Sequence, residues 1–142
     1  ADTANGYFLA PQAWAIQDLK QLPNEVFGPI LHVLRYKAED FENLIDTINA
    51  TDYALTSGLH SRIAARHEVF QKKMQAGNLY INRDMIAAVP GSQPFGGHGL
   101  SGTGPKAGGP HYLQRLVHEQ TITTNTAAMG GNASLLTLDD KD

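Results

Sequence analysis

The 142 residues carry 11 Lys plus Arg against 14 Asp plus Glu, a formal net charge of -3, with 42% apolar residues, 8% aromatics and no cysteine. This is the composition of an ordinary globular chain, of one domain by its length. It excludes the basic footprint of a nucleic-acid binder and, within these residues, any disulfide framework or cysteine nucleophile.

The first segment, Tyr7-Phe8-Leu9-Ala10 and Ala13-Trp14-Ala15-Ile16 around Pro11, reads as an edge ribbon or irregular β segment, since proline cannot donate to a central ladder. No stretch has the ~20 apolar residues that cross a bilayer, because Pro11, Gln12, Gln17, Asp18, Lys20 and Gln21 interrupt the longest, Tyr7 to Leu22. Ala1 to Gly6 has neither an initiator Met nor a signal-peptide pattern. The expectation is a piece of a longer, cytoplasmic protein. After Gly28-Pro29, the nearly continuous run Ile30 to Tyr36 has the pattern of a strand buried on both faces.

Phe41, Leu44, Ile45 and Ile48 fall at helical spacing behind Glu39, Asp40 and Glu42, which predicts an amphipathic helix ending near Asn49. Tyr53 to Leu59 reads as one short strand. Ser61 is positioned to cap a helix running to about Gln75, with Ile63, Phe70 and Met74 as its apolar stripe and Gly77 just past its end. Leu79 to Asn82 is the next strand. Strand, helix, strand, helix, strand is the α/β order, and it predicts a parallel-leaning sheet flanked by two helices.

Residues 90–110 hold eight of the 14 glycines and four of the seven prolines, so a long loop is expected, structured around Phe95 and Leu100. Pro110 opens a predicted short helix through about Val117. Thr121 to Asn125 alternates β-formers and reads as a final strand before a polar tail.

Several motifs invite a chemical reading and fail on context. Gly97-His98-Gly99-Leu100-Ser101-Gly102 matches the dinucleotide fingerprint by letter, but Thr103-Gly104-Pro105 follows where a helix must open to hold the pyrophosphate. Gly99 and Gly104 have P-loop spacing, yet Pro105 stands where the phosphate-binding lysine is required. The six histidines show no zinc-ligand spacing, and Ser92 and Ser101 lack the nucleophile elbow. Glu25-Val26-Phe27-Gly28-Pro29 remains. It is either a turn in which Phe27 plugs the core, or a carboxylate beside an aromatic face where a ribose diol could be held at a strand end.

Glu25 to Pro29, Ala76-Gly77-Asn78-Leu79-Tyr80-Ile81-Asn82, Pro94-Phe95-Gly96-Gly97 and Leu100 to Gly104 together resemble the C-terminal part of an aldehyde dehydrogenase. Lys106 to Leu113 is similar to the branch that oxidises L-glutamate γ-semialdehyde, the Δ1-pyrroline-5-carboxylate dehydrogenases. Thr121 to Asn125 followed by Gly130 to Leu136 most resembles the dehydrogenase half of bifunctional proline utilization A proteins.

The resemblance implies NAD-dependent oxidation of the semialdehyde to L-glutamate in proline catabolism, by attack of a cysteine thiolate, hydride transfer to NAD and glutamate-assisted hydrolysis. The nucleophile, the base, the oxyanion asparagine and the nucleotide-binding fold would all precede the matched region. These residues alone are therefore expected to be inactive, and they would function with the rest of the dehydrogenase module. FAD would enter only with a proline dehydrogenase half that these residues do not include.

By the same resemblance Glu25 binds the nicotinamide ribose hydroxyls, Phe27 packs on that ribose, and Phe95 covers the aliphatic part of the aldehyde. Ala87 and Ala88 fall where an anchor loop grips the substrate carboxylate. Ala88 lacks the hydroxyl that a serine brings there, so the grip would come from backbone N–H groups. Thr121 to Asn125 would pair with a neighbouring subunit of a homo-oligomer. The implied organisation is a partial catalytic domain over 1–126, containing the anchor loop 87–110 and the oligomerisation strand 121–125, and a polar tail over 127–142. The contrasting expectations are a non-catalytic assembly module or inert truncated domain, and a small nucleotide-binding module.

Overall fold

The computed structural model describes residues 5–86, 88–89 and 91–129. Pro11 sits immediately before β1 (Gln12–Ile16), where its missing N–H is not needed by a ladder. This strand pairs in parallel with β2 (Ile30–Leu34), Gln12 opposite Ile30 and Ile16 opposite Leu34. Between them a 3-10 turn, Leu19–Gln21, is held by a capping box: Asp18 Oδ1 accepts from Lys20 N at 2.9 Å, and Gln21 Oε1 accepts from Asp18 N at 3.2 Å.

The expectation that β2 is buried on both faces is corrected. Ile30, His32 and Leu34 are half-buried, but Leu31 is 60% exposed and Val33 is exposed as well. The cause is that the described core of α1, α2 and the β4–β5 pair includes no residue of β1 or β2, so no layer among the described residues covers the face with Leu31 and Val33.

A 3-10 turn at Ala38–Asp40 leads into α1 (Phe41–Asn49), which ends where the spacing predicts. Phe41 and Ile45 are buried, with Ile48 packed beside them. The predicted strand over residues 53–59 is instead two. β3 (Tyr53–Ala54) pairs antiparallel with β6 (His98–Gly99), and β4 (Thr56–Leu59) pairs in parallel with β5 (Asn78–Ile81). The break falls where the ladder partner changes from β6 to β5, and Ala54 O and Leu55 O there accept from Gly77 N and Asn78 N at 2.9 and 3.0 Å.

The second helix, α2 (Ala64–Lys73), is shorter than expected. Ile63 is its N-cap, while the Ser61 hydroxyl acts two residues earlier by accepting from Ile63 N at 3.1 Å. Ile63 is exposed, so the helix buries Phe70, and Met74 just beyond it, without Ile63. Asn49 closes the helix end from α1: its Nδ2 donates to Lys73 O at 2.8 Å and its Oδ1 accepts from Gln75 N at 3.0 Å. Phe41, Ile45, Phe70 and Met74 form the core, with Leu59, Leu79 and Ile81 contributed by the β4–β5 pair. Each fully buried side chain of this core contributes about 1.5–3 kcal/mol, and the half-buried ones less.

Helix and strand are thus mixed as expected, but the single flanked sheet resolves into three two-stranded ones. The glycine-rich segment after residue 90 is a structured loop containing β6 and an isolated bridge between Phe95 and Ala107. The predicted helix from Pro110 is only a 3-10 turn at Leu113–Leu116, and Thr121 to Asn125 is not a strand in this single chain. Residues 111–128 are all exposed, and a helix this short does not persist without a face to bury, nor a strand without an edge to pair with. The end of the polar tail, residues 130–142, lies outside the described residues. Among the described residues no helix is long and apolar enough to cross a membrane.

Candidate functional site

The turn Glu25 to Pro29 is fixed at one end by β3, since Glu25 N donates to Tyr53 Oη at 3.0 Å, and at the other by β2, since Ile30 N donates to Gly28 O at 2.8 Å. It forms one wall of an open cleft of about 620 Å3. Leu19 and Leu22 from the 3-10 turn, Tyr53 and Leu55 from the β3–β4 junction, and Leu100 after β6 give the cleft an apolar lining. Glu25 and Phe27 share its wall. The carboxylate of Glu25 makes no hydrogen bond or ion pair to a described residue. The Phe27 ring is 93% exposed, so it does not plug the core.

The cleft has one departure from the usual rule for α/β folds. Glu25 and Phe27 stand before the amino end of β2, whereas ligands in open α/β sheets generally collect at the carboxyl ends of strands. What puts the pair on a ligand-sized concavity is the approach of the 3-10 turn, β3 and the residues after β6.

Phe95 lies in a neighbouring cleft of about 350 Å3, with Tyr112, Arg115 and the glycines at 96, 97, 102 and 104 around it. Its backbone bonds Ala107 in both directions, Phe95 N to Ala107 O at 3.1 Å and Ala107 N to Phe95 O at 2.9 Å. The ring remains 38% exposed. Ser101 lines both clefts, and its hydroxyl accepts from Ala54 N at 3.0 Å. Glu25, Phe27 and Phe95 are therefore brought onto adjoining surfaces. Ala88 is half-buried and lines neither of these two clefts, and Ala87 lies outside the described residues.

Sequence reasoning missed Tyr53 and Ser101. Ser101 stood inside a quoted motif without a role, while nothing in the chain links Tyr53 to Glu25 across 28 positions. The described titratable group with a clear pKa shift lies elsewhere. Lys73 is held above its ordinary value by hydrogen bonds to Asp46 and then Glu42, in a bridge between α2 and α1.

Residues 1–122 match the aldehyde dehydrogenase family. The chain is 54% identical over 117 residues to the bifunctional protein PutA of Rhizobium meliloti, covering 82% of this chain and 10% of that protein. It is 40% identical over 128 residues to the 1-pyrroline-5-carboxylate dehydrogenase of Bacillus subtilis, covering 89% of this chain and 24% of that enzyme. A crystal structure of a Bradyrhizobium japonicum proline utilization A variant superposes with a TM-score of 0.78 at 56% identity, over 89% of this chain and 13% of that one. The chain thus spans between a tenth and a quarter of the length of these two curated relatives. With the family match covering all but the last residues, the chain belongs to the aldehyde dehydrogenase family.

Proposed function

We propose that this segment contributes the nicotinamide-ribose rim and the aldehyde-facing loop of an NAD-dependent dehydrogenase that oxidises L-glutamate γ-semialdehyde to L-glutamate in proline breakdown. The observation that carries the reading is the pairing of a carboxylate with no partner among the described residues and an exposed ring, Glu25 and Phe27, on one wall of the same cleft. The names borne by the similar proteins, PutA and 1-pyrroline-5-carboxylate dehydrogenase, point to the substrate.

Glu25 and Phe27 fit NAD. A carboxylate left free can accept from both hydroxyls of a ribose, and charge-assisted hydrogen bonds of this kind are roughly twice as strong as neutral ones. An aromatic face two residues away can pack on the sugar and limit its tilt. When bound, NAD supplies the oxidant. Phe95 would shield the aliphatic chain of the aldehyde from water, and backbone N–H groups at Ala87 and Ala88 would hold its carboxylate. The thiolate that attacks the aldehyde comes from outside these 142 residues, which contain no cysteine. Assembly into a homo-oligomer would use Thr121 to Asn125 as a strand added to a partner's sheet edge.

In the full-length enzyme that carries this segment, Glu25→Gln replaces a charged acceptor by an amide that accepts less well. Oxidation of the aldehyde in a single turnover is expected to slow, because the nicotinamide is less well placed. Equal single-turnover rates for the variant and the parent would remove Glu25 from the cofactor site.

A further inference from the structure

Phe95 could not hold an aldehyde chain from a loop free to shift, and the loop's own sequence is poorly suited to standing still. It is flanked by Pro94 on one side and by Gly96 and Gly97 on the other, residues that offer little side-chain packing of their own. Something outside the loop fixes it. Asn78, the first residue of β5, is one of the few buried polar side chains among the described residues. Both ends of its amide are spent on the two neighbours of Phe95: Nδ2 donates to Pro94 O at 3.1 Å, and Oδ1 accepts from Gly96 N at 3.3 Å.

Together with the two-way bridge to Ala107, this leaves the backbone across residues 94–96 held by four hydrogen bonds. The strand end that carries Asn78 is itself fixed. Gly77 N and Asn78 N donate to Ala54 O and Leu55 O, and the Lys106 ammonium donates to Gly77 O. Gly77 also lies so near the loop that a Cβ there would stand 1.9 Å from Gly96 O. The segment after Phe95 is thus seated directly on the backbone before β5.

We propose that Asn78 is a positioning residue for aldehyde binding: its side-chain amide clamps both neighbours of Phe95 and so fixes where that ring stands. The proposal rests on the reading of Phe95 as the cover over the aldehyde chain. An amide is suited to this task because one planar group presents a donor and an acceptor together, matching a C=O and an N–H on either side of a single residue. Alanine offers neither. Serine's single hydroxyl can hold at most one of the two, and adds no charge to a buried site.

The test uses the full-length enzyme with Asn78→Ala, Phe95→Ala and the double variant, measuring KM and kcat for the semialdehyde and KM for NAD. Asn78→Ala is expected to raise the semialdehyde KM about tenfold through misplacement of the ring. The kcat and the KM for NAD should stay within about twofold, because the Glu25 and Phe27 wall is built from other segments. The double variant should be no worse than Phe95→Ala alone, since a clamp has no effect once its ring is gone.

If Phe95→Ala leaves the semialdehyde KM unchanged, the reading of Phe95 falls and the clamp falls with it. If Phe95→Ala raises that KM but Asn78→Ala does not, or if the two effects multiply in the double variant, Phe95 keeps its role and the clamp alone is overturned. A parallel loss of kcat and of NAD affinity in Asn78→Ala would mark a merely structural asparagine and would also overturn it. Should Asn78→Ala not accumulate as folded enzyme, Asn78→Ser takes its place, with a rise of about threefold expected from loss of one of the two bonds and the same non-additivity with Phe95→Ala.

Discussion

The segment from Phe41 to Ile81 and the segment from residue 111 to residue 128 treat apolar side chains in opposite ways. The first buries Phe41, Ile45, Phe70, Met74 and Tyr80. In the second every residue is exposed, Leu113, Leu116, Val117 and Ile122 included. The difference does not lie in local pattern, since both were expected to form regular elements. It lies in closure: α1 and α2 lie against the β4–β5 pair, so each layer covers the other, whereas the later segment meets no such surface among the described residues. The cleft that holds Glu25 and Phe27 takes Thr51, Tyr53, Leu55 and Thr56 from the packed segment, and the Phe95 loop is tied to that segment through Asn78. There the backbone is fixed from the packed side while the side chains remain free to meet a ligand.

The largest effect that follows is on stability, and it opposes two phenylalanines. Phe70→Ala empties a site 3% exposed in the middle of the core and should cost about 3–5 kcal/mol. Phe27→Ala removes a ring that touches mostly solvent and should change stability by no more than about 0.5 kcal/mol. Urea unfolding of the two variants side by side measures both. A Phe27 variant as damaged as the Phe70 variant would mean that the cleft wall belongs to the core, and the contrast between packed and open regions would collapse.

The next effect is on substrate choice. If backbone donors around Ala87 and Ala88 hold the semialdehyde carboxylate, Ala88→Pro in the full-length enzyme deletes one of them. A lost hydrogen bond to a charged group is worth about 1.5–3 kcal/mol, or roughly 10- to 150-fold in kcat/KM. An aldehyde of similar length without a carboxylate never used that donor and should be affected far less. Ala88→Ser is the gentler control and should keep or improve semialdehyde binding. Equal losses on both aldehydes would remove the anchor role from this position and leave overall similarity as the support for the substrate.

These contrasts also show which features could be read before the fold was known. The spacing of Phe41, Leu44, Ile45 and Ile48 was sufficient for α1, because an amphipathic stripe is a local property. Tyr53 to Leu59 reads locally as one strand, and its division is set by partners far along the chain, β6 for one half and β5 for the other. Leu31 and Val33 were expected to be buried, since an apolar run signals what a strand is suited to cover and carries no information about whether a cover is present. For the cleft, the motif from Glu25 to Pro29 was visible in the chain. Its attachment through Tyr53 Oη, and the clamp of Asn78 on Pro94 and Gly96, arise from separations of 28, 16 and 18 residues that no periodicity encodes.

A smaller effect probes the joint between the packed region and the loop. Ser101→Ala removes the hydroxyl that accepts from Ala54 N and that both clefts share. The expected cost is about 0.5–1.5 kcal/mol, the usual net worth of one hydrogen bond. Hydrogen exchange should locate it, with faster exchange at Ala54 and at Leu100, whose N–H bonds Asp52 O, and unchanged protection in α1 and α2. Uniformly faster exchange would show that the loop and the core unfold as one unit, and the boundary drawn between them would have to move.

The smallest effect tests whether the bridge between the two helices adds to their packing. Lys73 Nζ lies 3.2 Å from Glu42 Oε2 and 3.1 Å from Asp46 Oδ2, a three-residue contact from α2 to α1 at the exposed edge of the core. Its pKa is raised, first by the hydrogen bond to Asp46 and then by that to Glu42, so the folded state holds the proton more tightly than the unfolded chain does. The bridge therefore contributes fully at pH values below lysine's ordinary value of about 10.4, and its contribution is lost as pH rises through the higher folded-state value. Lys73→Met keeps most of the stem that packs along the helices and removes only the charge. Because both carboxylates are well exposed and screened by salt, the variant should lower Tm by less than any core change described above. The difference in Tm between parent and variant should hold steady at pH values below lysine's ordinary value and shrink toward zero as pH rises through the higher folded-state value. A difference that persists undiminished at that alkaline end would show that the charge of Lys73 is not its source, and the two helices would then owe their pairing to the packing of Phe41, Ile45 and Phe70 and to the Asn49 hydrogen bonds.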